Sequence, residues 1–211
     1  AIAFSVMIVV FARGYIVGMI DNLTVEHIQY DSGHIKLITH EYRDQERLLP
    51  LNYPVDGLGG RDLAEMVAAL KDIEGVEMVI PRLKFGAMVS TEDELVTMTG
   101  WGVDPEQETA FTNIEKYLAE GRMPQPGRLE VLMGTALLEK INRRVGEKVT
   151  IVFNTAFNSL QGATFTIVGR TESGIKLLNE VVFYLPLDQA QRLLEMDSQV
   201  TELLLVTADK K

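Results

Sequence analysis

The chain has 211 residues, 46% of them apolar and 24% charged, with 30 acidic against 20 basic side chains and a net charge of −10. That composition supports one large core or two small ones and argues against a disordered or wholly membrane-embedded chain. So acidic a surface repels nucleic-acid phosphates and anionic headgroups, and the lack of any cysteine removes disulfides, thiolate metal sites and cysteine nucleophiles.

The first twelve residues, AIAFSVMIVVFA, carry no charge, and after Arg13 the apolar character resumes in GYIVGMI. A membrane helix needs about 20 apolar residues. We read this stretch, residues 1–23, as the end of a first transmembrane helix that starts upstream, with Arg13 snorkelling to the headgroups. A secretory signal would show a small-residue cleavage site, which is not visible; a buried core helix is the other alternative. Helical spacing continues through Ile16, Ile20, Leu23 and His27 to Tyr30 and breaks at Asp31-Ser32-Gly33. A helix from Phe4 to Tyr30 would be about 40 Å long at ~1.5 Å per residue. The hydrocarbon core is only ~30 Å thick, so the excess predicts a projecting stalk, with Ile20 and Leu23 as the residues that couple it to the rest of the chain.

His34 to His40 alternates and predicts a strand, followed by a polar loop from Glu41 to Gly60. Leu63, Met66, Val67 and Leu70 share one helical face, with Asp62 and Glu65 placed to cap the start and Gly75 to end it. Val76–Ile80, Leu83–Ser90 and Leu95–Trp101 read as strands, the last two joined by a turn at Thr91 to Glu94. Val103-Asp104-Pro105 reads as a turn, and Thr112 with Glu115 as a capping box before a short helix stopped by Gly121. A strand at Val131–Met133 precedes a helix at Thr135–Arg144. Val149, Ile151 and Phe153, then Phe165 and Ile167, alternate on two arms of a hairpin whose loop runs from Asn154 to Gly162. Val181–Leu185 is a strand, Asp188 with Gln191 caps a helix carrying Leu193 and Leu194, and Leu203–Val206 is the last strand. Strands and helices mix without regular alternation, so the class is α+β.

The segments SGHIKLITHEYRD, GVDPEQE, LAEGRMPQPGRLEVLMGTALLEKI, VGEKVTIV, FTIVGR and VVFYLPLDQAQRLL, in this order behind a membrane helix, resemble the extracytoplasmic domain of the FtsX-like and MacB-like permeases, closest to the lipoprotein-releasing branch. The resemblance implies a porter-like βαβ domain with an inserted β-rich, sabre-like domain, preceded by a membrane or stalk helix. Its parts would be residues 24–98, the inserted domain 99–196 and a return strand at 197–211. It implies a permease with four membrane helices in the bacterial inner membrane, this domain lying on the periplasmic side between the first two. The implied partners are a cytoplasmic ATPase subunit, a second permease subunit and a periplasmic carrier or adaptor. The implied role is mechanical coupling of ATP hydrolysis to lipoprotein release or substrate export. A membrane-anchored interaction module without an ABC partner is the alternative.

Motifs for chemistry do not emerge. There is no GxxxxGK[ST] loop, no GxSxG elbow, and no third glycine to join Gly100 and Gly102 in a dinucleotide fingerprint. His34 and His40 on one strand would lie about 20 Å apart at ~3.3 Å per residue, too far to share a metal. Glu92, Asp93 and Glu94 read as solvated turn acids, and Trp101 as a core or interdomain residue. The expectation is therefore no enzyme, no cofactor and no metal site. What remains is the hairpin tip, Phe157, Asn158, Ser159 and Leu160, as a candidate partner contact, because Phe157 and Leu160 cannot easily both point inward from so short a loop; a tip folded back onto its own hairpin is the alternative.

Overall fold

The computed structural model describes residues 7, 10–15, 33–55, 62–91 and 94–208. Besides a helical stretch at residues 10–15, the order is β1 (Ile35–Leu37), α1 (His40–Gln45), α2 (Leu63–Lys71), β2 (Val76–Ser90), β3 (Leu95–Val103), α3 (Pro105–Thr112), β4 (Leu118–Gly121), β5 (Glu130–Gly134), α4 (Thr135–Lys140), β6 (Lys148–Asn154), β7 (Leu160–Thr171), α5 (Lys176–Glu180), β8 (Val182–Pro186), α6 (Leu187–Leu194) and β9 (Glu202–Thr207). This is the mixed, sheet-rich α+β class that the sequence implies.

Helix α2 starts where Asp62 accepts the Glu65 N–H at 2.8 Å, as expected of an N-cap. Its stripe of Leu63, Met66, Val67 and Leu70 packs on Val79, Val200, Leu203 and Leu205. Gly75, at φ 88°, turns the chain into β2. Strands β1 and β2 both pair antiparallel with β9, so they run parallel to each other with α2 between them in sequence. This is a βαβ unit with β9 laid down its middle. The chain leaves the unit at β2, builds everything from β3 to α6, and only then returns as β9.

That excursion closes on itself. Strand β2 pairs with β3, β3 with β8, β8 with β5, β5 with β7, β7 with β6, and β6 again with β2. The ring is sealed by a short contact, Ala87 opposite Phe153 and Met88 opposite Val152. Inward positions alternate as a pleated strand requires: Leu83, Phe85, Val89, Met98, Met133, Ile151, Phe165, Ile167 and Phe183 form one core. Phe85 meets Phe153 and Phe183 edge-on at 6.0 and 5.8 Å, a favourable arrangement of ring quadrupoles. Gly100 and Gly102 supply the room. A Cβ at Gly100 would lie 2.3 Å from the Phe85 ring, and one at Gly102 2.5 Å from the Cβ of Ala190 on α6. Between them Trp101 points outward into a second buried cluster with Val103, Leu132, Val182 and Tyr184, roofed by Ile114 and Leu178.

Several expected elements differ. The strand at His34 stops at Leu37, and His40 instead opens α1, capped by Thr39, inside what reads as loop. Val76 to Ser90 is one strand, running through Pro81. Proline is tolerated because the β3 ladder begins only at Arg82, so position 81 interrupts nothing on that side. Asp104-Pro105 is no turn but the start of α3: the Asp104 carboxylate accepts the N–H groups of Glu106 and Gln107 at 3.0 and 3.1 Å. Thr112 accordingly ends a helix, its hydroxyl donating to the Glu108 carbonyl, and a 3-10 turn over Ile114–Tyr117 comes next. Helix α4 ends at Lys140, and α5 is additional. Asp188 lies inside α6, after Pro186, and accepts the Gly127 N–H from across the fold at 2.9 Å. The hairpin loop spans only residues 155–159.

Candidate functional site

Where β2 passes from the βαβ unit into the ring, its two faces diverge. Odd positions face α2 and then the ring interior; even positions Ile80, Arg82 and Lys84 face the opposite way. Register places Glu202 beside Arg82, and Trp101 beside Lys84. Arg82 and Glu108 of α3 are both wholly buried and form a two-pronged pair, Nε to Oε2 at 3.0 Å and Nη2 to Oε1 at 2.6 Å. Glu202, also buried, sits between Lys84 at 2.9 Å and Lys36 of β1 at 3.0 Å. Lys36 further pairs with Glu46. The Trp101 ring receives both cations, Arg82 Cζ at 4.7 Å and Lys84 Nζ at 4.5 Å from its centroid, and Phe111 covers Arg82 at 5.4 Å. The Thr201 hydroxyl accepts the Lys84 N–H and donates to the Arg82 carbonyl.

Arg82, Lys84 and Lys36 thus meet the buried carboxylates of Glu108 and Glu202 in one layer that stitches β1, β2, β9, β3 and α3, with half-exposed Glu46 at its rim against Lys36. Burial alone would push the Arg82 guanidinium toward losing its proton, but the Glu108 carboxylate outweighs it and the pKa ends above the ordinary value. Burial, then the nearby Glu202 charge, raises the Tyr42 phenol above its usual range. The arrangement fixes geometry: each charge is held by others on a different element, and bidentate Arg–carboxylate pairs are the most orientation-specific of such contacts. This layer is absent from the sequence reading. Its signal was there in Arg82 and Lys84 two apart in an apolar strand, and in Glu202 heading Leu203-Leu204-Leu205.

The expected tip residues come together at the end of the β6–β7 hairpin. Phe157 and Leu160 are 76% and 68% exposed. The turn is braced from within: Thr155 Oγ1 accepts the N–H groups of Phe157 and Ser159, Thr155 N–H reaches the Ser159 carbonyl, and Asn158 takes a left-handed φ of 58°. Ala156 N–H bonds the Leu194 carbonyl at the end of α6. The structure therefore offers two apolar side chains on a preorganised turn tied to the body.

Ile20 and Leu23 lie outside the described residues, as do His27, Glu92 and Asp93. His34 accepts the Thr207 N–H on Nδ1 at 3.0 Å, which splices β1 to the end of β9. Among the described residues no group of three His, Asp or Glu side chains could hold a metal, and no helix is long and apolar enough to cross a membrane. Of the expected stalk, residues 10–15 are helical, with Val10, Phe11 and Tyr15 exposed.

The family model described as the MacB-like periplasmic core domain matches residues 1–211. The chain is 21% identical over 155 residues to the lipoprotein-releasing system transmembrane protein LolC of Neisseria meningitidis serogroup B, covering 70% of this chain but spanning only 37% of that relative. Two solved structures share the fold. One is the extracellular domain of the ABC-type transporter YknZ from Gram-positive bacteria, at TM-score 0.51 and 14% identity over 68% of this chain and 72% of the other. The second is the periplasmic region of MacB from Actinobacillus actinomycetemcomitans, at TM-score 0.50 and 15% identity over 74% and 73%. The chain therefore belongs to the MacB-like periplasmic core domain family, the extracytoplasmic domain of FtsX- and MacB-like ABC permeases.

Proposed function

We propose that this domain transmits displacement from a cytoplasmic ATPase subunit to a lipoprotein or another exported substrate on the outer side of the bacterial inner membrane. The observation that carries the reading is the path of β2. One 15-residue strand runs from the βαβ unit into the ring, and buried ion pairs clamp it to β1, β9 and α3 at the crossing. Displacement applied to the βαβ unit would reach the ring without a soft linker to absorb it. In this reading residues 24–98 with 197–211 are the porter-like domain, which holds the βαβ unit and all of β2, and 99–196 are the inserted sabre-like domain, whose strands close the ring against the far half of β2. Residues 1–23 end the first transmembrane helix, and exposed Val10, Phe11 and Tyr15 are surface that lipid would cover. The reading assigns the chain no catalytic step and no cofactor.

The hairpin tip is the proposed partner contact, for a periplasmic carrier or adaptor or for a second permease subunit. Exposed, rigid apolar side chains lose little entropy on docking. The test is to co-express the complete permease with an ABC-type ATPase subunit from the same organism and reconstitute them in liposomes. Co-purification and ATP-dependent substrate release support the reading. A permease that purifies alone and acts without ATP contradicts it.

A further inference from the structure

We propose that a cleft at the ring's far end, between β2, β6 and the end of α4, binds a small polyanion: a molecule presenting clustered phosphate or carboxylate oxygens. The cleft lies roughly 25 Å along β2 from the buried ion layer, at ~3.3 Å per residue. Its cavity of about 390 Å³ falls within the ~300–1,000 Å³ of small-molecule sites. Val89, Ile141 and Val149 form its buried floor, and Lys140, Arg143 and Lys148 stand exposed around it.

The charge arrangement is the argument. On a chain of net charge −10, this cleft gathers three cations, and among the described residues no carboxylate lines it. Nor is any of the three cations paired with a carboxylate among the described residues. Arg122 and Arg170, by contrast, each face a carboxylate. Lys140 ends α4, where a cation complements the carbonyl end of the helix, but Arg143 and Lys148 lie beyond any helix. Three like charges converging on one concavity repel each other, and an anion between them relieves that repulsion. At ordinary ionic strength the field of the distant acidic surface is screened within ~8–10 Å, so the local cations decide what enters.

The site is independent of the transport reading and of the hairpin tip. The test is calorimetric titration of the 211-residue chain in non-ionic detergent, with pyrophosphate and with citrate as separate titrants, at low and raised sodium chloride. We expect saturable binding of at least one, weakening with salt, and the titrant that binds distinguishes phosphate from carboxylate chemistry. K140Q/R143Q/K148Q should bind about tenfold more weakly or worse, with R143Q alone intermediate, so the reading does not depend on the triple variant folding. E92Q/D93N is titrated beside them. No binding of either titrant, binding unchanged in the cation variants, or binding only in E92Q/D93N, where the turn's own acids would hold the cleft, overturns the proposal.

Discussion

Removing Glu108 should expose what the junction is worth. Arg82 and Glu108 are 0% exposed, so Glu108→Ala strands a guanidinium in a layer that water does not reach. Breaking a buried pair from one side costs ~3–5 kcal/mol, whereas replacing both partners with apolar residues of similar volume is often neutral or stabilising. Glu202 stands opposite Arg82 in register but is already held by Lys36 and Lys84, so it cannot fully substitute. At ~2–4 °C per kcal/mol for a domain of this size, Glu108→Ala should lower the melting temperature by roughly 6–20 °C. Arg82→Met/Glu108→Leu should recover most of that loss. The assay is thermal and urea unfolding of wild type, Glu108→Ala, Arg82→Met, Glu108→Leu and the double variant, the last three closed with wild type as a double-mutant cycle. A loss below about 1 kcal/mol for Glu108→Ala, or a double variant as unstable as the single, would refute the reasoning, because Glu108 would then not be what compensates the buried Arg82 charge.

Gly102→Ala should cost about 1–3 kcal/mol by overpacking, since its Cβ would sit 2.5 Å from that of Ala190; urea midpoints measure it. Phe157→Ser with Leu160→Ser should leave melting unchanged while weakening partner capture in pull-downs from the reconstituted transporter; a collapse in stability would place these residues in the core. The Glu130 carboxyl is held below its ordinary 4.5, first by its hydrogen bonds from Arg122. Its contribution to stability is thus complete above that value and is lost as pH falls through the lower folded-state value. Glu130→Gln should flatten the acid limb of the stability–pH curve in that window and leave its neutral slope alone.

What the sequence made legible was local and periodic. Val149, Ile151 and Phe153 alternate and do line the ring; Asp62 caps α2 as its spacing implied. Helix α3 escaped because PEQETAFT carries no apolar stripe: its signal is Asp104 as cap, proline in the first turn and glutamates near the positive end. Helix α1 buries only Tyr42, too little for a pattern. Ring closure rests on two residue pairs far apart in sequence, and nothing in Ala87 or Phe153 names the other. The buried charges were hardest, because Arg82 falls between two expected strands, beside Pro81, and nothing local marks it as buried until Glu108, 26 positions later, is placed over it by the fold. The exposure of the hairpin tip follows from a steric argument that needs no partner strand, and both of its apolar side chains are exposed.

The central claim is that this domain works by carrying force, and the stalk proposed upstream of β1 is where that claim is most exposed to test. Leu23→Pro would remove a backbone hydrogen bond and clash with the preceding turn, costing a continuous helix about 3 kcal/mol or more; Leu23→Ala keeps the helix and loses only side-chain contacts. In the complete transporter, at equal membrane levels, the account predicts that Leu23→Pro leaves basal ATP hydrolysis largely intact while substrate release falls sharply, and that Leu23→Ala does much less. Equal release by the two variants would contradict it.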